Sequence, residues 1–461
     1  MKLNIIYILC CFLISVSISS CQKFLEIDAP FGEVTEEAMF SNESSANSAV
    51  TSLYARLRED VMVAGSFNGM GILMGLYADE LDNYSAAGGS LDLFQKHQIL
   101  ISNATVKSIW DNSYQTIYMC NTVLNGLEAS TGLSVEKKDQ LKGEVLFVRS
   151  LVYFYLINLF GEVPYIEITD HEANSKVSKL SIETMYGHIL DDLGKAKILL
   201  SDKFDAANRT RANVYAVHAL MARCYLYLEQ WDNALTSSNE VLSKSSLFSL
   251  LPLDKVFLRN SQEAILQLKP ETEGRSTREA DVHVLLSGPP LNFALNKRVE
   301  TMMEAGDLRS QKWIGVLTKG SDRWLFSNKY KERTWKDVSP EYSTVFRLAE
   351  LYLIRAEAKA MLNDIDGATD DLNEIRTRAE LNPKQNLTKE LFLDALVQER
   401  RVELLAEHGH RWFDLKRWGK ADEVLKLVKP SWKPTNILLP LPEAEILMNP
   451  NLLPQNTGYQ Q

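Results

Sequence analysis

Over most of the chain, apolar residues recur every three or four positions, the spacing of helices that bury one face. The run GEVLFVRSLVYFYLINLF, Gly143 to Phe160, is apolar on nearly every face and predicts a fully buried helix. It is expected to pair with IETMYGHILDDLGKAKILL, from Ile182, across a loop from Gly161 to Lys179. An earlier pair is predicted from Ser44 to Arg58 with Lys107 to Leu127. Two long stretches lack this period. Asp60 to Asn103, rich in glycine, and Arg259 to Thr344 read as loops and short pieces, apart from a helix near Leu291 to Ala305.

The clearest internal repeat lines up ANVYAVHALMARCYLYLEQWDNALTSSNEVL, from Ala212, with FRLAELYLIRAEAKAMLNDIDGATDDLNEI, from Phe346, at an offset of 134 residues. Ala222 then matches Ala356, Ala234 matches Ala368, and Asn239-Glu240-Val241 matches Asn373-Glu374-Ile375. A small residue on one helix and an alanine twelve positions later on the next let the two approach closely, the physical content of a tetratricopeptide repeat. Trp231, in the turn of the first copy, is expected to pack there. Such a unit cannot bury its faces alone, so at least three must stack; the four predicted pairs meet that requirement.

The first twenty residues behave differently. After Met1 and Lys2, LNIIYILCCFLISVSISS has the length and ending of a signal peptide, and no other stretch reads as a spanning helix. Ile18, Ser19 and Ser20 stand directly before Cys21, which resembles the lipobox of bacterial lipoproteins and makes Cys21 the expected lipidation site. Beyond it only Cys120 and Cys224 remain, both inside helical apolar patterns, so buried free thiols are expected rather than a disulfide or a metal site. With 60 acidic against 50 basic side chains the net charge is -10, which disfavours a nucleic-acid partner.

Candidate chemistry is sparse. Glu399, Glu403 and Glu407 recur every fourth residue on one helical face, a spacing that could supply glycosidic acid and base. Arg400 and Arg401 are adjacent, however, and ion pairing along the helix surface is the plainer expectation. His408-Gly409-His410 lacks further ligands at metal spacing. No phosphate loop, nucleophile elbow or paired-cysteine motif is present, so no enzyme is indicated and no cofactor is expected. Trp313, Trp324 and Trp335 crowd one non-periodic segment, where they form either a small satellite core or a ligand platform.

Taken in order, further motifs resemble the SusD/RagB family of outer-membrane nutrient-binding lipoproteins. CQKFLEIDAP follows the lipobox, VTEEAMF and SLYARL come next, and the buried helix closes on GEVPYI, with Glu162 where the family has Asp. Asp307-Leu308-Arg309, Lys329-Tyr330, FRLAELYLIRAEA, ERRVELLAEHGHRWFDLKRWG and LPLPEAEILMNPNLLPQNTGY complete the series to Tyr459. The resemblance implies an all-α dominated fold of about four tetratricopeptide-like helix pairs with a loop-rich subdomain that presents ligand. It also implies a lipid anchor in the outer membrane, a SusC-like TonB-dependent transporter as partner, glycan or peptide cargo, and a structural role for the Glu-Arg-Arg block.

The expected organisation is a leader over 1–20 and one SusD-like unit over 21–461, with its scaffold at 30–58, 104–258 and 344–420. Ligand regions are placed at 60–103 and 259–343, with an extended segment over 430–461. The cargo residues expected there are Asp79, Asp82, Asn83 and Tyr84, offering directed hydrogen bonds, and Trp313, Trp324 and Trp335, offering flat faces for a sugar ring. Trp324 is placed on an edge strand with Lys329-Tyr330 following. A surface glycosidase using Glu399 and Glu403, or a scaffold that binds only protein, are the alternative functions.

Overall fold

A computed structural model describes residues 36–204 and 208–459. The predicted leader and Cys21 lie outside the described residues. In chain order the elements used below are α1 (Glu43–Glu59), α2 (Met70–Tyr77), β1 (Leu81–Asn83), α3 (Ser90–Gln95), α4 (Ala104–Ala129), α5 (Val135–Phe160), α6 (Ile182–Leu199), α7 (Val214–Tyr227) and α8 (Trp231–Leu242). Then follow β2 (Ala264–Leu268), α9 (Arg278–His283), β3 (Phe293–Leu295), α10 (Arg298–Met302), β4 (Ile314–Lys319), β5 (Asp322–Ser327) and β6 (Ser343–Arg347). The chain closes with α11 (Leu348–Met361), α12 (Ile365–Arg378), α13 (Lys389–Glu403), α14 (His410–Arg417), α15 (Ala421–Val428) and α16 (Glu443–Met448).

All four predicted helix pairs form: α1 with α4, α5 with α6, α7 with α8, and α11 with α12. The long helices start on short polar side chains that accept from otherwise unbonded backbone N–H groups. Asn103 caps α4, Ser134 caps α5, Ser181 caps α6, Asn213 caps α7 and Thr388 caps α13. Ala222, Ala234, Ala356 and Ala368 are completely buried where their hairpins close, as the repeat predicts. Buried guanidinium–carboxylate bonds tie helices together both within a pair and between pairs. Arg149 of α5 bonds Asp192 of α6 through two nitrogens at 2.8 Å each, and Arg223 of α7 bonds Glu350 of α11 likewise at 2.7 Å.

From Gly143 onward, every residue of α5 is buried. Contrary to the sequence expectation, α5 is long and apolar enough to cross a membrane, yet its apolar stretch is entirely buried inside the protein. Cys120 and Cys224 are buried free thiols; loss of hydration pushes Cys120 up to about 12 and Cys224 higher still.

The aperiodic stretches carry more structure than their sequence suggests. Residues 60–103 hold α2, β1 and α3 as short pieces between turns. The helix expected over Leu291 to Ala305 is instead strand β3 followed by the short helix α10. Strands β1, β3, β5 and β4 form one antiparallel sheet in that order, and β2 pairs with β6, which runs straight into α11. The C-terminal segment is not simply extended, since α16 and two single turns at 434–437 and 450–452 interrupt it. Strands of three to six residues are too short for an alternation to stand out from turn residues.

Candidate functional site

The two aperiodic regions meet in the four-stranded sheet. Leu81 lies opposite Leu295, and Leu295 opposite Leu325, so these leucines share the inward face. Because side chains alternate along a strand, Asp82 and Trp324 fall on the other face. Tyr84 continues β1 beyond its last paired residue, its N–H donating to Asn292 O at 2.7 Å. Tyr84 lies beside Trp324; burial and the Asp82 carboxylate push the Tyr84 phenol above its ordinary range, while Trp324 pulls it back. Tyr84 is 40% exposed, which leaves much of its ring free to meet a ligand.

Trp324 is less open than expected. Its strand lies between β3 and β4, so it is not an edge strand, and the indole is only 9% exposed. The loop that follows α9 lies across the ring: a Cβ on Gly288 would fall 2.2 Å from its Cζ3 atom. That same loop, LSGPPLN, presents Leu286 and Leu291 to solvent. Sequence reading missed these two leucines, although leucines flanking a Gly-Pro-Pro turn outside any helical period are a usable signal for an exposed apolar rim.

The remaining candidates divide between support and isolation. Asp79 is buried and bonded to Arg411 at 2.8 Å and Arg401 at 2.6 Å, which corrects its assignment as a free ligand group. Burial pushes its carboxyl up, but the two guanidiniums outweigh that and hold it below the usual range. Asn83 is spent on its own turn, with Oδ1 accepting from Ser85 N at 3.0 Å. Asp82 is half-buried and accepts from Asn296 Nδ2 at 2.8 Å. Lys429 reaches the same region, its ammonium pushed down to about 8 by burial while Asp82 and Asp79 pull it back up.

Trp313 is not a platform. It is 1% exposed, donates through Nε1 to Leu253 O at 2.9 Å, and packs with Phe257 and Tyr330 in a satellite core. Trp335 is 65% exposed, but it sits over Gly274 and makes no described contact with Tyr84 or Trp324. The structure therefore brings together Asp82, Tyr84 and Trp324, and separates Trp313 and Trp335 from them.

The glutamate series is built into the interior. Glu399, Glu403 and Glu407 are all buried, and they do not pair with Arg400 and Arg401 as the helix spacing suggested. Arg400 bonds Asp414 instead, and Arg401 bonds Asp79. Cationic side chains from outside the helix clamp the three glutamates: Arg309 reaches Glu399 at 2.6 Å and Glu403 at 3.0 Å, while Arg347 and Lys329 bond Glu407. Burial pushes Glu403 up, but Arg378, Arg347 and Arg309 outweigh it and hold its carboxyl well below the ordinary range. Burial instead pushes Glu399 up despite Arg309, but none of the three carboxylates has the solvent access that a glycosidic acid and base need.

Among the described residues, no group of three or more His, Cys, Asp and Glu is placed to hold a metal ion. His408 bonds Thr344 O through Nε2 at 2.8 Å. Gly409 between the two histidines has φ 78°, the left-handed region that favours glycine, and a Cβ there would fall 2.9 Å from Met74 Cβ. The His-Gly-His motif is thus a packed turn.

Comparison with known proteins gives a consistent picture. Residues 31–226 match the family described as "Starch-binding associating with outer membrane", and residues 300–429 match the SusD family. The SusD-like protein P25 of Formosa agariphila is 25% identical over 519 aligned positions, spanning 96% of this chain and 97% of that protein. A SusD superfamily protein from Bacteroides vulgatus superposes with a TM-score of 0.80 at 20% identity, covering 91% of this chain and all of that one. A laminarin-binding SusD-like protein superposes with a TM-score of 0.77 at 24% identity, over 91% of this chain and all of that one.

Proposed function

Since this chain belongs to the SusD family, we propose that it is a surface lipoprotein that captures oligosaccharide and hands it to a SusC-like TonB-dependent transporter. The observation that carries the cargo reading is the meeting of Tyr84, Trp324 and Asp82 on one sheet face, beside the exposed Leu286 and Leu291. Sugar recognition asks for an aromatic or apolar surface against the C–H face of the ring and a few directed polar groups at its edge. Tyr84 and the leucines supply the first, Asp82 the second. The starch-binding description of the matching family and the laminarin-binding relative in structure support a glycan over a peptide.

In this reading the protein binds and does not turn cargo over, which agrees with the buried and clamped state of Glu399 and Glu403. Diacylglycerol on Cys21 would hold it at the outer membrane, and the helical repeats would face the transporter. Calorimetric titration with malto-oligosaccharides and laminari-oligosaccharides tests the cargo. Saturable binding that weakens in Tyr84→Ala, with no product released, is the expected outcome. Binding of peptides alone, or cleavage of the glycan, would sink the reading. Solubilised outer membranes test the partner, since the protein is expected to co-purify with a large β-barrel receptor.

A further inference from the structure

On the scaffold, a groove of about 460 Å³ lies between the tip of the α7–α8 hairpin and α13. Tyr227 and Trp231 come from the hairpin, Trp418 from the end of α14, and Leu393 and Val397 from α13. Trp231 is the residue that the repeat pattern assigned to packing, yet here it stands half-exposed at an opening. Glu390, Leu393, Asp394 and Val397 follow the i, i+3, i+4, i+7 spacing of one helical face, and that face of α13 lines the groove.

The charges around it are unbalanced. Both basic side chains at the groove are already satisfied, Arg417 by Glu357 and Asp414, and Lys420 by Glu423. Glu229, Glu390 and Asp394 are exposed at its edge and form no ion pair among the described residues. An apolar trough rimmed by three carboxylates outside any ion pair favours an apolar side chain flanked by positive charge, and disfavours an acyl chain or an anion.

We propose that this groove docks a polypeptide segment of a protein partner, with an aliphatic or aromatic anchor between Lys or Arg residues. The anchor enters between Trp231 and Leu393, and its cationic neighbours meet Glu390, Asp394 and Glu229. This is a surface separate from the proposed cargo site and made of different elements, so loss or gain of glycan binding leaves it unaffected.

The probe is a phage-displayed dodecapeptide library selected on the full-length protein in detergent, with enriched peptides measured by fluorescence polarisation. The expected result is enrichment of Leu, Ile, Phe or Trp flanked by Lys or Arg, and at least ten-fold weaker binding to a Glu390→Lys, Asp394→Lys double variant. Both substituted residues are exposed, so an unchanged circular dichroism melt is expected to accompany that loss. Enrichment of uncharged or acidic peptides, no enrichment, or equal binding to the double variant would overturn the proposal. So would self-association in light scattering that Leu393→Asp abolishes, because a second copy would then be the occupant.

Discussion

Tyr84 and Trp313 are both aromatic residues of aperiodic sequence, and their surroundings give them opposite roles. Trp313 is enclosed, with Lys329 Nζ 4.6 Å from its ring centroid and the guanidinium carbons of Arg347 and Arg378 at 5.8 Å and 5.6 Å. Trp313→Ala is therefore expected to cost about 3 to 5 kcal/mol of folding stability by urea titration. Tyr84→Ala is expected to leave the melting temperature nearly unchanged and weaken glycan binding by about 1 to 3 kcal/mol, as truncation of an anchor does. Trp324→Ala should lose both, since its ring is covered by the Gly288 loop and lies beside Tyr84. A thermal melt beside a calorimetric titration separates the three outcomes. Nothing in the residue types distinguished them, because burial depends on what a distant strand or loop lays against each ring.

At the level of elements, the hairpins were legible because their packing rests on residue size at fixed offsets. Ala222 and Ala356 mark the close approach within each repeat and are wholly buried. Ala356→Leu is expected to overpack the α11–α12 contact and destabilise the protein by about 1 to 3 kcal/mol in denaturant unfolding. A leucine placed instead at an exposed mid-helix position, as in Asp370→Leu, should be near neutral. Short strands were illegible for the complementary reason: β1 and β3 have three residues each and become strands by pairing with each other. Their partners lie over two hundred residues apart, and no local period records that.

Across the whole molecule, the buried charges around α13 bring Glu263, Arg309, Lys329, Arg347 and Arg378 to Glu399, Glu403 and Glu407, and they set the response to acid. Burial alone would raise Glu407, but Arg347 and Lys329 hold it down at about 2, against roughly 4.3 in an unfolded chain. A carboxylate depressed on folding contributes stability above its unfolded value and loses it as pH falls toward the folded one. Between about pH 4.5 and 6.5 other groups oppose one another: His97 and His283, pushed down by burial to about 3 and about 4, favour unfolding on acidification. Glu80 and Glu279, pushed up by burial to about 7, favour the folded state over that range. Stability is expected to fall mainly between about pH 4.5 and 2, measured by chemical unfolding at each pH. Glu407→Gln should be less stable at pH 7, because Arg347 and Lys329 lose a buried partner, and should show a shallower decline in acid. For anchoring, Cys21→Ser is expected to move the protein from the membrane to the soluble fraction; retention in the membrane would assign the anchor to the apolar leader.

By itself the sequence determined the helix pairs, their repeat and the buried character of α5, since helical period, small residues at close contacts and short polar caps act within one or two turns of chain. The order of its motifs likewise determined the family. Only the tertiary structure decided that Glu399, Glu403 and Glu407 face Arg309, Arg347 and Lys329 rather than their helix neighbours, that Trp313 is core, and that Asp82, Tyr84 and Trp324 share one surface. The physical reason is range: a charge or an aromatic ring takes its role from whatever side chains surround it, and here those come from segments tens to hundreds of residues away.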